Sequence, residues 1–214
     1  MSDPKPVVFV VDDDVSVREA LAPLLHVAGW RAETFATAQE FLAHPPADAP
    51  NCLVLDVNLP DLNGLDLQKL VVSERAATPI IIITGYGDVP MTVRAMKAGA
   101  VEFLMKPFAD DVLLDAIGQA IERSRAALAR DAEMRGLRQK YASLSRREQE
   151  VMALVVTGLL NKQVGGKLGI SEITVKAHRG RMMRKMEAAS LADLVIMAGR
   201  LGIETGRMHS QPGA

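Results

Sequence analysis

The sequence predicts a two-domain protein: an α/β domain with a five-stranded parallel sheet and helices on both faces, then an all-α domain of four helices. Over the first 108 residues, short apolar runs alternate with longer amphipathic segments. That alternation is typical of a parallel sheet covered on both sides. After residue 143 the pattern is helical only. A chain of 214 residues is long enough for two small domains, each with its own core.

Five runs have the length of β-strands. Four of them are predominantly apolar, with Glu102 as the one charged residue among them, as expected for strands buried on both faces, and the second run is weaker. In chain order the predicted strands are Val7–Val11, Arg31–Phe35, Cys52–Leu55, Ile80–Ile83 and Val101–Met105. Because parallel strands point the same way, the residues that follow their carboxyl ends are expected to meet at one edge of the sheet.

The segments between these strands are predicted to be helices. Apolar residues from Val17 to Ala28 follow helical spacing and stop at Gly29, a frequent helix terminator. The other predicted helices are Ala38–Ala43, Leu65–Ser73 and Val89–Ala98. From Asp110 to about Tyr141, Ala, Glu, Arg and Leu predominate, which predicts a long helix.

Four short helices are predicted in the second domain from their capping residues. Ser145, with Glu148 three residues later, forms a capping box, and Gly158 closes that helix. The second helix is predicted to start at Asn161 and to end at Gly169, and Ser171 is predicted to cap the third. The fourth, Leu191–Leu201, is preceded by Ser190, which pairs with Asp193 in a similar capping box. We therefore expect domains at residues 1–124 and 143–204, a helical linker at 125–142 and a disordered tail at 205–214.

Charge is distributed unevenly along the chain. Residues 1–130 carry 18 acidic and 11 basic side chains, a net charge of −7, whereas residues 131–214 carry 8 and 14, a net charge of +6. Acidic clusters suit a cation and basic surfaces suit a polyanion, although random surface variation is the alternative. A single cysteine, Cys52, excludes a disulfide within the chain. Without a secretory signal or an apolar stretch of about 20 residues, we expect a cytoplasmic protein that does not bind membranes.

Polar residues follow four of the predicted strands. They are Asp12, Asp13 and Asp14 after the first strand, Asp56 after the third, Thr84 after the fourth and Lys106 after the fifth. Neighbouring carboxylates repel one another without a cation, and Mg²⁺ prefers oxygen ligands and pairs with phosphoryl groups. We therefore predict that Asp56 accepts phosphate at a magnesium site, with Thr84 and Lys106 holding phosphoryl oxygens. Helix capping by the three aspartates is the alternative.

Four segments carry a resemblance to a known family. They are Val-Val-Asp-Asp-Asp, Leu-Asp-Val-Asn-Leu-Pro-Asp-Leu-Asn-Gly, Ile-Thr-Gly-Tyr-Gly-Asp-Val-Pro-Met and Met-Lys-Pro-Phe. They resemble the receiver domains of two-component response regulators, particularly of the FixJ subgroup. The resemblance implies a flavodoxin-like fold and phosphorylation of Asp56 by a sensor histidine kinase.

The same resemblance assigns further roles in the pocket. It implies one Mg²⁺ ion bound directly by Asp13, through water by Asp12, and also by Asp56 and the carbonyl of Asn58. It implies that Thr84 and Phe103 form a switch pair, in which the hydroxyl turns to the phosphate and the ring turns inward. It also implies a cis peptide bond between Lys106 and Pro107.

Residues 143–201 resemble a LuxR/FixJ-type helix-turn-helix domain. The matching segments are Leu-Ser-Arg-Arg-Glu-Gln-Glu-Val-Met, Gly-Leu-Leu-Asn-Lys-Gln-Val and Leu-Gly-Ile-Ser-Glu-Ile-Thr-Val-Lys-Ala-His-Arg. This resemblance implies a recognition helix in the last segment and double-stranded promoter DNA as a partner.

The recognition helix divides into two faces at helical spacing. The predicted core face carries Val175, His178, Met182 and Met186, and His178 is expected to be hydrogen-bonded there rather than to bind a metal. The opposite face, suited to the major groove, carries Lys176, Ala177, Gly180, Arg181 and Arg184, with Arg179 beside the core and expected to contact a phosphate. An ordinary solvated helix face is the alternative.

Gly165 and Gly166 lie side by side in the short helix before the recognition helix. Each glycine weakens a helix by about 1 kcal/mol relative to alanine. The sequence therefore predicts a mobile DNA-binding domain, which Gly165→Ala should stabilise.

The mechanism implied by the resemblance is phosphorylation-dependent pairing. The face formed by the Val89–Ala98 helix and the fifth strand would pair two receivers, with Val93 and Lys97 as candidate contacts. The DNA-binding domains would pair through Leu191, Val195 and Ala198. The homodimer would bind promoter DNA, and it could also contact RNA polymerase.

Two alternatives remain open from the sequence. The basic domain could be a docking surface for another protein, which salt-dependent DNA binding lost in Lys176→Ala would argue against. The acidic pocket could belong to a small phosphatase, but no residues for an external substrate are evident. We therefore expect no enzyme activity beyond the receiver's own phosphorylation and dephosphorylation.

Overall fold

The computed structural model describes residues 4–203. The chain divides into two compact units, residues 1–130 and 131–214. The tail predicted at residues 205–214 lies outside the described residues. None of the helices in residues 4–203 has the length and apolar character needed to cross a lipid bilayer.

The first unit is built on a five-stranded parallel sheet with the strand order β2-β1-β3-β4-β5. The strands are β1 (Val7–Val11), β2 (Arg31–Phe35), β3 (Asn51–Asp56), β4 (Ile80–Thr84) and β5 (Ala100–Met105). The helices that begin in this unit are α1 (Val15–Val27), α2 (Ala38–Ala43), α3 (Gly64–Glu74), α4 (Val89–Lys97) and α5 (Asp110–Ala142). This arrangement confirms the predicted α/β fold.

Both faces of the sheet are buried, which explains the predominantly apolar strands. Successive side chains of a strand point to opposite faces, so Phe9 and Leu53 belong to one hydrophobic core, and Val10 and Val54 belong to the other. Cys52, the single cysteine, is buried in the second core, and burial raises the pKa of its thiol far above the ordinary value. The sheet is therefore a rigid platform with helices on both sides.

Strand register brings the predicted polar residues to one edge. Val11 is opposite Leu55 across β1 and β3, so Asp12 and Asp56 follow at the same level. Thr84 is opposite Met105 across β4 and β5, and Lys106 comes next. The strand order reverses between β1 and β3, which is where open α/β sheets bind their ligands.

The second unit contains α6 (Arg146–Val155), α7 (Asn161–Leu168), α8 (Glu172–Met186) and α9 (Leu191–Arg200). The predicted capping box of Ser145 and Glu148 is present, and Ser171 caps α8 with its side chain. The core of this unit also includes Leu137 of α5, which is 7% exposed. The end of α5 therefore completes a core that four helices alone were expected to form.

An ion pair between buried Glu148 and solvent-exposed Lys185 joins α6 to α8 inside this unit. Glu148 is 2% exposed, and its Oε2 accepts hydrogen bonds from the Lys185 ammonium at 2.6 Å and from the Ser145 backbone N–H at 2.8 Å. The bond from Lys185, followed by the bond from Ser145, lowers the pKa of Glu148 to about 2. The capping glutamate is therefore also a tertiary contact.

The expectation that Gly165→Ala stabilises the second unit is wrong. Gly165 is buried, and a Cβ atom there would lie 2.7 Å from the carbonyl oxygen of Ile170. The backbone N–H of Ile170 also donates to the Gly165 carbonyl at 3.0 Å, so the chain turns closely against this residue. At Gly166 no described atom lies within 4 Å of a Cβ position, so the helix weakness can be relieved only there.

Candidate functional site

Three carboxylates meet at the carboxyl edge of the sheet. Asp12, Asp13 and Asp56 each offer a carboxylate oxygen, and these oxygens lie within 4.8 Å of one another. Asp12 is fully buried and Asp56 is 6% exposed, whereas Asp13 is exposed. The cluster is therefore buried on the protein side and open to solvent at Asp13.

Lys106 joins two of these carboxylates. Its Nζ atom donates to Asp12 Oδ2 at 2.6 Å and to Asp56 Oδ2 at 2.7 Å. Burial raises the pKa of Asp12, since a carboxylate without water is costly. Burial opposes the charged form of Lys106, but the hydrogen bonds from its ammonium to Asp12 and Asp56 raise its pKa. Lys106 therefore stays protonated and holds Asp12 and Asp56 together.

The charge balance of the cluster fits a divalent cation. The Lys106 ammonium pairs with two of the three carboxylates, so negative charge remains uncompensated at a site that reaches solvent through Asp13. All three donors are hard oxygens, the ligand type that Mg²⁺ prefers. The backbone N–H of Asn58 donates to Asp56 Oδ1 at 3.1 Å, which places Asn58 next to the cluster.

Helix capping accounts for one of the three consecutive aspartates. The side chain of Asp14 accepts from the Ser16 backbone N–H at 2.8 Å and caps α1. Asp12 instead accepts from the backbone N–H of Asp14 at 3.0 Å, which holds the loop in place. The capping alternative therefore applies to Asp14, while Asp12 and Asp13 belong to the acidic cluster.

Thr84 and Phe103 lie on adjacent strands and are linked by the loop after β4. The Thr84 hydroxyl is fully buried and lies 3.2 Å from both the backbone nitrogen and the carbonyl oxygen of Tyr86. A Cβ atom at Gly87 would lie 2.6 Å from Met105 Sδ and 3.1 Å from the Phe103 ring, so this loop passes close against that ring. Gly87 was not among the predicted site residues, since nothing in the loop sequence marks that close approach.

The peptide bond between Lys106 and Pro107 is cis, as the resemblance implied. The backbone N–H of Lys106 donates to the Thr84 carbonyl at 2.8 Å, so the start of this segment is tied to the end of β4.

The recognition helix α8 has the two predicted faces. Val175, Met182 and Met186 are fully buried, but His178 is only half-buried. Its Nδ1 atom is buried without a hydrogen-bond partner among residues 4–203, so the expected hydrogen bond at that atom is not formed. The opposite face is exposed at Lys176, Ala177, Gly180, Arg181 and Arg184.

Two contacts orient side chains around this exposed face. The Lys176 ammonium lies 3.0 Å from Glu172 Oε1, one helical turn earlier. Arg179 is half-buried and donates to Asn161 Oδ1 at 3.1 Å, which ties α8 to the start of α7. Ile173, which was not among the predicted site residues, is 79% exposed and lies one turn before Ala177 on the same face. Its spacing from Ala177 was the signal that could have found it.

The residues expected at dimer contacts differ in accessibility. Val93 is 44% exposed and Lys97 is exposed, both on α4. On α9, Leu191 is 38% exposed and Val195 is half-buried. Ala198, however, is fully buried in the core of its own unit and has no side-chain surface to offer. Its expected contact role is therefore wrong, and Ile196, which is 63% exposed, is the most exposed large apolar residue of α9.

Comparison with known families finds matches over most of the chain. Residues 8–118 match the response regulator receiver domain, and residues 142–198 match the LuxR family of bacterial regulatory proteins. Nodulation protein W of Bradyrhizobium diazoefficiens is 51% identical over 199 residues, which cover 93% of this chain and 88% of that protein. The transcriptional regulatory protein FixJ of the same bacterium is 41% identical over 196 residues, which cover 92% and 96% of the two chains.

Two solved structures extend this similarity to the fold. The response regulator StyR is 48% identical with a TM-score of 0.80, over 92% of this chain and all of that one. Full-length FixJ from B. japonicum is 40% identical with a TM-score of 0.55, over 95% of this chain and 100% of that one. FixJ and StyR are named as regulators rather than enzymes, which agrees with the regulatory role expected of this chain.

Proposed function

The chain belongs to the bacterial response regulators that combine a receiver domain with a LuxR-type DNA-binding domain, and we propose that phosphorylation of Asp56 controls its binding to promoter DNA. The observation that carries this proposal is the Lys106 ammonium held between Asp12 and Asp56 at the solvent-open edge of the sheet. In this proposal the receiver spans residues 1–124, the helical linker 125–142 and the DNA-binding domain 143–204.

Phosphorylation would occur on a carboxylate oxygen of Asp56. The phosphoryl group leaves a histidine nitrogen of the sensor kinase, whose N–P bond breaks as the new O–P bond forms. Lys106 already contacts Asp56 Oδ2, so its ammonium lies within reach of a phosphoryl oxygen. Asp12, Asp13, Asp56 and the Asn58 carbonyl would hold Mg²⁺, which supplies positive charge for the phosphoryl oxygens when bound.

Thr84 would transmit this event to the surface. Its hydroxyl exchanges the contacts with Tyr86 for a hydrogen bond to the phosphoryl group. The loop containing Gly87 and the adjacent Phe103 ring then rearrange, because they are packed too closely to move independently. This rearrangement would change the surface formed by α4 and β5.

That face has the exposed apolar side chains that a receiver dimer needs. Val89 is 76% exposed, Val93 is 44%, Met96 is 42% and Met105 is 49% exposed, and Lys97 lies among them. Such a concentration of exposed apolar groups is typical of an interaction surface. In the DNA-binding domain, Leu191, Val195 and Ile196 would form a second contact, so that the dimer presents two α8 helices to a DNA repeat. RNA polymerase would be a partner of the DNA-bound dimer.

The test is a measurement of mass in solution. Beryllofluoride with Mg²⁺, or acetyl phosphate with Mg²⁺, should increase the molar mass of the wild-type chain towards that of a dimer. Asp56→Asn should abolish the increase. Asp66→Asn is the matched control, because the exposed Asp66 side chain bonds to Lys69 one turn along α3 and to no other side chain within residues 4–203, and this variant should dimerise normally. A wild-type chain that stays monomeric both with beryllofluoride and with acetyl phosphate would contradict the proposal.

A further inference from the structure

An exposed isoleucine lies on the first turn of the recognition helix. Ile173 is the second residue of α8, and its side chain is 79% exposed. Among the large apolar side chains in the described part of the second unit, it has the greatest exposed fraction. A single exposed apolar residue is ordinary on a protein surface, so its position on the helix decides whether it has a role.

Ile173 begins an uncharged strip along the DNA-facing side of α8. Ile173, Ala177 and Gly180 are spaced by four and three residues, which places them on one face of an α-helix. That face is opposite the side of α8 that carries buried Val175 and Met182. At Gly180 no described atom lies within 4 Å of a Cβ position, so the strip ends in bare, accessible backbone.

Positive charge borders the uncharged strip. Lys176 and Arg181 lie on its two sides, and Arg184 follows Gly180 one turn later; all three side chains are exposed. A cationic border favours a polyanion over an apolar protein partner. The uncharged strip favours a polyanion that presents an apolar group to Ile173, Ala177 and Gly180. On DNA base edges in the major groove, the apolar group is the C5-methyl of thymine.

We propose that Ile173 reads a thymine methyl group, so that each half-site of the DNA bound by this chain carries a thymine at the base pair facing the first turn of α8. The inference rests on the proposed DNA-binding function and adds a base preference to it. The first turn of a recognition helix is the part that contacts base edges in helix-turn-helix proteins. Lys176, one turn away, is then placed for a neighbouring base or phosphate.

The experiment removes the methyl group without changing base pairing. Duplexes are selected from random DNA with the full-length chain in beryllofluoride and Mg²⁺, and affinity is measured after replacing each thymine in turn with deoxyuridine. One thymine in each half-site should show about fourfold weaker binding, the effect of one buried methyl group. Ile173→Ala should bind the thymine and deoxyuridine duplexes equally at that position, whereas Ile173→Val should still distinguish them.

The outcomes distinguish a failure of this inference from a failure of the proposed DNA-binding function. A thymine preference that persists in Ile173→Ala would assign the methyl contact to another residue and overturn this inference, as would wild-type binding without any thymine preference. A wild-type chain that binds no duplex in a salt-dependent way would overturn the proposed function itself. Because Ile173 is exposed, Ile173→Ala should keep the wild-type melting temperature, which separates lost recognition from lost folding.

Discussion

The two units place the same kinds of charged side chain in opposite environments. In the first unit, Lys106 is held between Asp12 and Asp56 in a largely buried cluster. In the second unit, Lys176 pairs with Glu172 on an exposed helix face. Buried charges interact strongly but depend on their partners, whereas exposed charges are screened and remain available to a ligand. Charge is therefore held in a side-chain cluster in the first unit and remains available to a ligand on α8 of the second.

Removal of Lys106 should test this contrast most strongly. Lys106→Met leaves Asp12 and Asp56 buried without their cation, and we expect it to lower the free energy of unfolding of the first unit by about 3 kcal/mol in EDTA. Urea denaturation of the full-length chain measures the loss. Added Mg²⁺ should recover part of it, because the cation replaces the missing positive charge. Equal stability of wild type and variant in EDTA would show that the buried cluster does not need its ammonium.

The ion pair between buried Glu148 and exposed Lys185 should show a smaller effect that depends on pH. The folded-state pKa of about 2 lies below the ordinary value of 4.5, so the stabilisation is fully present above pH 4.5 and is lost as the pH falls towards 2. Allowing for solvent screening at Lys185, Glu148→Gln should cost roughly 2 kcal/mol at neutral pH.

Calorimetry across that pH range checks this prediction, with Glu150→Gln as the matched control, because Glu150 lies on the same helix but is only half-buried. The difference between wild type and Glu148→Gln should shrink below pH 4.5. A difference independent of pH would mean that the side chain acts through packing rather than through its charge.

The adjacent glycines of α7 should respond in opposite directions. Gly166→Ala should stabilise the second unit by about 0.5–1 kcal/mol, because alanine favours a helix and its Cβ has open space. Gly165→Ala should destabilise it, because the Ile170 carbonyl oxygen must move away. Thermal denaturation of the two variants in parallel is the measurement, and a higher melting temperature for Gly165→Ala would contradict the close approach.

Lys176→Ala should have the smallest effect on stability, within about 0.5 kcal/mol, since its pair with Glu172 is exposed. It should nevertheless weaken DNA binding and reduce the slope of log affinity against log salt by about 1 if the ammonium contacts a phosphate. Fluorescence anisotropy over a range of salt concentrations tests this. An unchanged slope would place Lys176 away from the phosphates.

The sequence predicted the elements well where local pattern and tertiary environment agree. The strands at Val7–Val11 and Arg31–Phe35 have the predicted bounds, and the caps at Ser145 and Ser171 are present. The strand ends also identified the acidic cluster, because parallel topology alone brings successive carboxyl ends to one edge. These features depend on residues close together in sequence or on a simple rule of connection.

The predictions that failed depend on distances between separate elements. Ala198 has the spacing of a surface contact on α9, yet it is fully buried. The sequence alone does not distinguish the adjacent glycines Gly165 and Gly166. In the structure, Gly165 faces the Ile170 carbonyl oxygen, whereas Gly166 faces open space. In the sequence, Lys185 is one more cation on a basic helix. Its ion pair with buried Glu148 depends on how α6 packs against α8.

The sequence by itself determined the order of strands and helices, the caps that start the helices, and the set of charged residues at the sheet edge. Apolar periodicity and side-chain capping act over a few residues, so these features can be read along the chain. Only the tertiary structure decided which carboxylates share the Lys106 ammonium, which glycine must remain a glycine, and which residues of α8 and α9 reach solvent. Those outcomes depend on distances of a few ångströms between elements far apart in sequence, where close packing leaves no freedom to adjust.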